Sequence, residues 1–180
     1  CVGGRLIYDM ICALRDADDY TVTVVGVDAD SSAAGRLLCD LFCVLPMAEK
    51  DPDGWVRGIL DLKKQLNLDA LICLSDQEAR LAAKNRECFA SVGIRTSVSK
   101  WEVVDVLTDK FLLLERLAKG GLDVGPFAAV NSLKDAGEAL RTLGYPARRI
   151  VLKPRWGRGS RGGLVCDARS EEHTSELQSR

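Results

Sequence analysis

The chain reads Ile150-Val151-Leu152-Lys153-Pro154-Arg155-Trp156-Gly157-Arg158-Gly159-Ser160-Arg161-Gly162-Gly163-Leu164-Val165-Cys166 in its most informative stretch. An apolar run ends at a proline, four glycines and three arginines fall within nine residues, and a second apolar run begins. Glycines let a backbone approach an anion and point amide groups at it, and arginine and lysine side chains contact phosphates. The pattern predicts a strand, a flexible loop and a second strand, with Lys153 at the strand end directed at a nucleotide phosphate.

Two other structures have to be weighed against this interpretation. The spacing alone fits an ordinary surface hairpin with solvated arginines about equally well. A Walker P-loop is excluded, since Gly-Lys-Ser/Thr is missing and the first strand leads to a strand rather than to a helix.

Strand and helix signals alternate through the first region of the chain, which covers residues 1–98. Short apolar runs predict strands at 20–27, 41–45, 70–74 and 94–98. Apolar residues at helical spacing predict helices at 5–15, 53–66 and 76–92, the last of them capped by Ser75. This alternation favours a parallel sheet covered on both faces. Gly3 and Gly4 open the first helix as they would after a strand, so we expect the first strand to lie mostly before residue 1.

The second region covers residues 99–168 and mixes helices with an antiparallel pair of strands. Asp109 and Lys110 open a helix that we predict over 111–119. A strand is predicted over 126–130, and a helix over 132–143 with Leu133, Ala136 and Leu140 facing inward. The strand, loop and strand quoted above complete this region.

Length and composition exclude several classes of protein. The chain has 180 residues, of which 47% are hydrophobic and 28% charged, and its formal net charge is -1. This composition excludes general disorder, and no apolar run approaches the ~18 residues of a membrane span. The balanced charge gives no general surface for nucleic acid or for an anionic membrane. Seven cysteines, without a zinc-like spacing or a visible signal peptide, indicate reduced and mostly buried thiols in a cytoplasmic protein.

The end of the sequence differs from everything before it. Residues 169–180 are polar, lack a period and contain His173, which is the single histidine of the chain. They resemble the in-frame translation of a common sequencing-library adapter, so we expect native sequence to end near Ala168 and treat 169–180 as an artefactual tail. His173 is then no candidate for a catalytic base.

Asp28 supports an alternative function. It ends a predicted strand about 24 residues after Gly4, where dinucleotide-binding folds place the acid that binds a ribose. An NAD(P)-binding oxidoreductase domain is therefore the second interpretation of the first region. Its weakness is that Gly3 and Gly4 are all that remains of a glycine fingerprint.

Three segments of the sequence carry a resemblance to a known family. The first is the loop from Lys153 to Gly163, the second is Thr108-Asp109-Lys110, and the third is Gly26-Val27-Asp28 with Gly35-Arg36. Together they resemble the ATP-grasp superfamily and, within it, proteins similar to the carbamoyl-phosphate synthase large chain. The resemblance implies an α/β fold in which a Rossmann-like pre-ATP-grasp domain over 1–98, lacking its first strand, precedes a truncated α+β ATP-grasp small subdomain over 99–168.

The resemblance also implies roles for particular residues. Lys110 matches a first nucleotide-contacting basic residue, and Lys153 matches a second, which reaches the adenine side and the α-phosphate. The loop from Gly157 to Gly163 matches a flexible flap over the β- and γ-phosphates. The residues expected to bind the nucleotide are Lys110, Lys153, Arg155, Gly157, Gly159, Ser160, Arg161, Gly162 and Gly163.

The activity implied for the parent protein is that of a ligase that uses ATP and Mg²⁺. Such an enzyme activates a carboxylate or bicarbonate-like acceptor as an acyl-phosphate, which an amine or similar nucleophile then attacks. The Mg²⁺ ligands are expected beyond Ala168, so no metal ligand or catalytic residue is assigned here, and the fragment itself is expected to be inactive. A non-catalytic nucleotide-binding regulator is a third possibility. No nucleic-acid or membrane partner is expected.

Overall fold

The computed structural model describes residues 2–4, 6–157 and 162–167, and the chain divides into two compact units between Val104 and Asp105. The first unit mixes short parallel strands with helices, and the second combines two helices with a hairpin. In the part of the chain that the structure describes, no helix is both long and apolar enough to cross a membrane.

The strands of the first unit form two parallel pairs. Strand β1 (Val25–Asp28) pairs with β2 (Leu41–Val44), and β3 (Ala70–Leu71) pairs with β4 (Arg95–Thr96). Parallel strands that alternate with helices were predicted, and this is confirmed; the single sheet is not, because the described strands form two separate two-stranded sheets. The strand predicted from residue 20 begins only at Val25. The reason lies at Val24, whose amide donates to the Asp40 carboxylate at 2.7 Å, outside the ladder.

The helices of the first unit begin and end where local chemistry requires it. They are α1 (Ile7–Arg15), α2 (Pro52–Leu66), α3 (Asp76–Lys84), α4 (Arg86–Ser91) and α5 (Trp101–Thr108), the last of which crosses into the second unit. Helix α2 has Asp51 as its N-cap, Pro52 at its first position and Asn67 in the left-handed region with φ 52°.

The single helix predicted over 76–92 is two helices, α3 and α4, which meet at Asn85. Asn85 departs from helical geometry, with φ -103° and ψ 17°, and its side-chain amide donates to the Leu81 carbonyl at 2.9 Å. Side-chain hydrogen bonds of this kind compete with the helical ladder. The predicted N-cap is confirmed, because the Ser75 hydroxyl accepts from the amide of Glu78.

Two apolar clusters form the core of the first unit. In one, Trp55 and Phe89 make an edge-to-face contact at 6.4 Å, and Ile59 and Ile94 are buried beside them. In the other, Val2, Ile7 and Ile11 pack together. Each cluster joins helices to the strand pairs, which is how two short sheets become one folded unit.

The second unit contains α6 (Lys110–Lys119), α7 (Leu133–Thr142) and an antiparallel hairpin. The hairpin pairs β5 (Ile150–Leu152) with β6 (Leu164–Cys166), so that Ile150 lies opposite Cys166. The predicted strand, loop and strand are therefore present. The strand predicted over 126–130 is wrong: these residues form no ladder and instead line a cleft. The prediction that Leu133 faces inward is also wrong, because it is the first residue of α7 and 94% exposed.

Six cysteines lie in the described residues, and all six are free thiols. Five of them are half-buried and Cys88 is exposed, so the cysteines are less buried than the sequence predicted. Burial raises the pKa of the Cys73 thiol to about 12.

Candidate functional site

The second unit contains a cleft of about 630 Å³. Its walls come from α6, the extended segment 126–131, α7 and β5. The described residues that line it are Lys110, Phe111, Leu114, Pro126, Phe127, Ala128, Ala129, Val130, Asn131, Ala139, Leu140, Leu143, Arg148, Arg149, Ile150, Val151, Leu152, Lys153, Arg155 and Gly162. Clefts of this size, with an apolar wall and a few polar groups, are typical of small-molecule sites.

Five cationic side chains line the cleft, and none of its described lining residues is acidic: they are Lys110, Arg148, Arg149, Lys153 and Arg155. Arg148 and Arg149 precede β5, whereas Lys153 and Arg155 follow it. The rise of a strand places Arg149 and Lys153 roughly 13 Å apart. A cleft lined by one sign of charge attracts the opposite sign, so this one favours an extended anion.

The rest of the cleft wall is apolar. Phe111 on α6 and Phe127 in the extended segment make an edge-to-face contact at 5.7 Å with an interplanar angle of 70°. Leu114 and Leu140 continue this wall from α6 and α7. The cleft can therefore hold a ligand with a flat apolar part and an anionic part.

Asp109 lies beside the cleft at the start of α6 and is 1% exposed. One carboxylate oxygen, Oδ1, accepts from the amides of Phe111 at 3.0 Å and Leu112 at 3.2 Å, which makes Asp109 the N-cap of α6. The other oxygen, Oδ2, accepts from Nε of Arg155 at 2.6 Å. This is a short, charge-assisted bond between residues 46 positions apart.

Arg155 is held on several sides. Its guanidinium lies 5.4 Å from the ring centre of Phe111 and 5.0 Å from that of Trp156. Its backbone carbonyl accepts from the amide of Lys110 at 3.1 Å. The ion pair with Asp109, the cation–π contact with Phe111 and the backbone bond to Lys110 together hold the segment after β5 against the start of α6.

Lys110 was predicted to contact a nucleotide, and it lines the cleft. Its ammonium Nζ donates to the carbonyl of Gly157 at 2.7 Å. Gly157 has φ 120°, in the left-handed half of the map that L side chains rarely adopt, so glycine is required for this backbone turn.

The remaining predicted residues are placed as follows. Lys153 directly follows β5, is exposed and lines the cleft, and Gly162 lines it with φ 70°. Gly163 directly precedes β6. Gly159, Ser160 and Arg161 lie outside the described residues. The structure thus brings Lys110, Lys153, Arg155 and Gly162 to one cleft.

Sequence reasoning missed three residues of this site. Arg148 and Arg149 carried only the general signal of a basic pair before a strand. Asp109 was identified as part of a helix-opening pair, but the residues around it in the sequence do not indicate that it is buried against Arg155.

Asp28, the basis of the dinucleotide alternative, is engaged within its own unit. One carboxylate oxygen accepts from the amide of Gly3 at 2.8 Å and the other from the amide of Asp30 at 3.1 Å. These bonds join the end of β1 to the glycine pair. Both carboxylate oxygens of Asp28 therefore already accept backbone amides, whereas binding a ribose requires them to accept its hydroxyl groups. The described residues hold no group of three or more side chains suited to bind a metal ion.

Comparison with solved structures identifies the class of fold. The biotin carboxylase domain of Hydrogenobacter thermophilus 2-oxoglutarate carboxylase, solved with MgADP and bicarbonate, matches with a TM-score of 0.64 at 18% identity over 98% of this chain and 39% of that one. N5-carboxyaminoimidazole ribonucleotide synthetase of Thermus thermophilus matches with a TM-score of 0.63 at 14% identity over 96% of this chain and 41% of that one. The chain therefore resembles ATP-grasp proteins in its fold, as its sequence predicted.

The sequence comparison is more specific. The carbamoyl phosphate synthase large chain of Pseudothermotoga lettingae is 20% identical over 154 residues, which are 86% of this chain and 13% of that protein. The likeness to that large chain is thereby confirmed. No protein-family model matches the chain. These similarities do not favour the dinucleotide oxidoreductase.

Proposed function

We propose that this chain is part of an ATP-dependent ligase and that the cleft of its second unit binds the nucleotide. The observation that carries the proposal is the combination of five cations and an apolar aromatic wall in a single cleft. A nucleoside triphosphate has the matching parts, a flat base and a polyphosphate. In this proposal residues 1–98 form the pre-ATP-grasp domain and 99–168 part of the ATP-binding small subdomain.

Different residues of the cleft are assigned to the phosphates and to the base of the nucleotide. Lys153 and Arg155 follow the carboxyl end of β5, and Arg155 is bonded to Asp109 and Lys110 at the start of α6. We assign Lys110, Lys153 and Arg155 to the phosphates, because lysine and arginine form charge-assisted bonds with phosphate oxygens. Phe111, Phe127 and Leu140 then face the base. The glycines that flank the loop, Gly157 and Gly162, allow its backbone to approach the phosphates closely.

The reaction we propose is the activation of a carboxylate or bicarbonate-like acceptor. An acceptor oxygen attacks the γ-phosphorus of ATP, the bond to the bridging oxygen breaks, and ADP leaves. A nucleophile then attacks the acyl carbon and inorganic phosphate leaves. Bicarbonate is suggested by the 2-oxoglutarate carboxylase domain, which was solved with that anion and MgADP.

Mg²⁺ would neutralise phosphate charge during such a transfer. The described lining of the cleft does not fit a metal site, since it holds no carboxylate. We therefore assign no metal ligand in the described residues, and their part in the proposed reaction is to bind and orient the polyphosphate.

Calorimetric titration of the full-length protein with ATP and Mg²⁺ tests the proposal. Lys153→Ala should weaken binding, whereas Lys134→Ala, which removes an exposed lysine of α7 outside the cleft lining, should not. The rate of ADP release with bicarbonate or a carboxylic acid as the acceptor then measures phosphoryl transfer. Unchanged affinity in Lys153→Ala contradicts the assigned site. ATP binding without ADP release for any acceptor would favour the nucleotide-binding regulator.

A further inference from the structure

We infer that Asp109 is a positioning residue of the nucleotide cleft, which aims Arg155 and places Lys110 without touching the ligand itself. The inference rests on the proposed function, because it concerns how the same cleft is built. Asp109 is not among the described residues that line the cleft, whereas both residues that it holds do line it. It therefore acts through its neighbours.

The two oxygens of the Asp109 carboxylate have different tasks. Oδ1 serves the helix, since it accepts the amides of Phe111 and Leu112. Oδ2 serves the arginine, since it accepts Nε–H of Arg155 at 2.6 Å. Because Asp109 is 1% exposed, water cannot solvate its carboxylate, and the protein has to supply the hydrogen-bond donors. Both oxygens are therefore bonded, one to the helix amides and the other to Arg155.

Because Asp109 is bonded to Nε of Arg155, the N–H groups of the two terminal nitrogens remain available for a ligand in the cleft. The bond uses one N–H of the guanidinium, and those terminal groups are its remaining donors. The guanidinium carbon also lies 5.4 Å from the ring centre of Phe111 and 5.0 Å from that of Trp156, so the two rings limit the space in which the group can move. With its inner edge bonded to Asp109 and two rings beside it, Arg155 keeps its outer edge for a bidentate contact with an anion.

Lys110 depends on the same arrangement. It is the residue after the cap, and its amide donates to the Arg155 carbonyl at 3.1 Å. This backbone bond and the bond between Asp109 and the Arg155 side chain both join the start of α6 to residue 155. A purely structural cap would hold the helix but would have no specific connection to the arginine.

A conservative substitution separates these two roles. Asp109→Asn keeps a side-chain oxygen that can cap α6, since asparagine and aspartate are comparable N-caps, but it removes the charge that holds Arg155. Asp51→Asn is the matched control. Asp51 caps α2 in the first unit by accepting from the amide of Gly54 at 2.8 Å, and no ion pair involving Asp51 is present among the described residues.

The experiment is a double-mutant cycle on the full-length protein, with the dissociation constant for MgATP as its measurement. Asp109→Asn should weaken MgATP binding about tenfold, the size of one charge-assisted contact. In the Arg155→Ala background the same substitution should change the constant by less than about twofold, because asparagine still caps α6 beside Lys110 and the arginine that would lose its ion pair is gone. Asp51→Asn should leave the constant unchanged.

Two results would overturn the inference. One is unchanged binding in Asp109→Asn, and the other is equal weakening in both backgrounds, which would indicate a general structural effect. If Arg155→Ala and Lys153→Ala both retain full affinity, the proposed nucleotide site fails, and this inference fails with it. If only Asp109→Asn retains full affinity, while Arg155→Ala and Lys153→Ala bind MgATP more weakly, the inference about Asp109 fails but the proposed nucleotide site stands.

A second variant keeps the test usable if Asp109→Asn does not fold, as judged by circular dichroism. Arg155→Lys keeps the positive charge but loses the planar guanidinium and its Nε–H. Positioning by Asp109 predicts that Arg155→Lys binds MgATP about as weakly as Arg155→Ala. Wild-type affinity in Arg155→Lys would show that charge alone suffices, and it would overturn the inference.

Discussion

Replacing Arg155 by alanine should destabilise the second unit more than replacing Asp109, although the arginine is the more exposed partner. The Asp109 side chain is 2% exposed and that of Arg155 is 39% exposed. Arg155→Ala leaves a buried carboxylate whose remaining described partners are two backbone amides. Breaking a fully buried pair costs about 3–5 kcal/mol. Because Arg155 is partly solvated, we expect about 2–3 kcal/mol here.

Asp109→Ala should cost less. It removes the N-cap of α6, which is worth about 1 kcal/mol. It also frees Arg155, but water can solvate this partly exposed side chain, so the lost pair adds about 0–1 kcal/mol. The expected total is about 1–2 kcal/mol. The asymmetry follows from which group is left behind in the protein interior.

Urea unfolding followed by far-ultraviolet circular dichroism measures this difference. With a slope of about 2 kcal/mol per molar urea, a gap of about 1 kcal/mol places the midpoint of Arg155→Ala about 0.5 M below that of Asp109→Ala. The double variant leaves no buried charge, so it should be at least as stable as Arg155→Ala. The reasoning is refuted if Asp109→Ala is the less stable single variant, or if the two losses simply add.

Three further predictions concern the first unit. Phe89→Ala should lower the free energy of unfolding by about 3–5 kcal/mol, because Phe89 is fully buried in the core; a urea titration measures it. At pH 8 iodoacetamide should modify Cys88, which is exposed, and leave Cys73 intact, because burial raises the pKa of that thiol to about 12; peptide mass spectrometry reads the labels. The hydrogen bond from the amide of Val24 lowers the pKa of Asp40. The Asp40 carboxylate therefore stabilises the fold above the ordinary aspartate pKa, and this stabilisation is lost as pH falls through the lowered pKa. Asp40→Asn should flatten the dependence of the free energy of unfolding on pH below about 4, which urea titrations at several pH values measure.

Local signals predicted much of the fold. The capping serine of α3 and the apolar period of α2 depend on residues within a few positions of one another. The hairpin was predicted for the same reason, since its two apolar runs are joined by a glycine-rich loop. Helix caps and hairpins are set by neighbouring residues, so a single sequence is enough to find them.

The errors arose where distant contacts decide the structure. The apolar segment 126–130 has the composition of a strand, but it pairs with no strand in the described chain, and it lines a cleft instead. Asn85 interrupts a long helical pattern with one side-chain bond to Leu81. The pair of Asp109 and Arg155 joins residues 46 positions apart, and only the folded chain shows that the acid is buried.

A buried acid beside the proposed nucleotide cleft can aid binding although it has the same sign of charge as the phosphates. Asp109 reduces the positive charge next to the cleft, which by itself weakens attraction for phosphate. An arginine free to move in water would, however, lose about 0.5–1.5 kcal/mol of conformational free energy each time it bound a ligand. The bond to Asp109 and the rings of Phe111 and Trp156 restrict Arg155 when the protein folds. In the proposed site this ordering precedes ligand binding, so less free energy is lost when the guanidinium contacts the ligand.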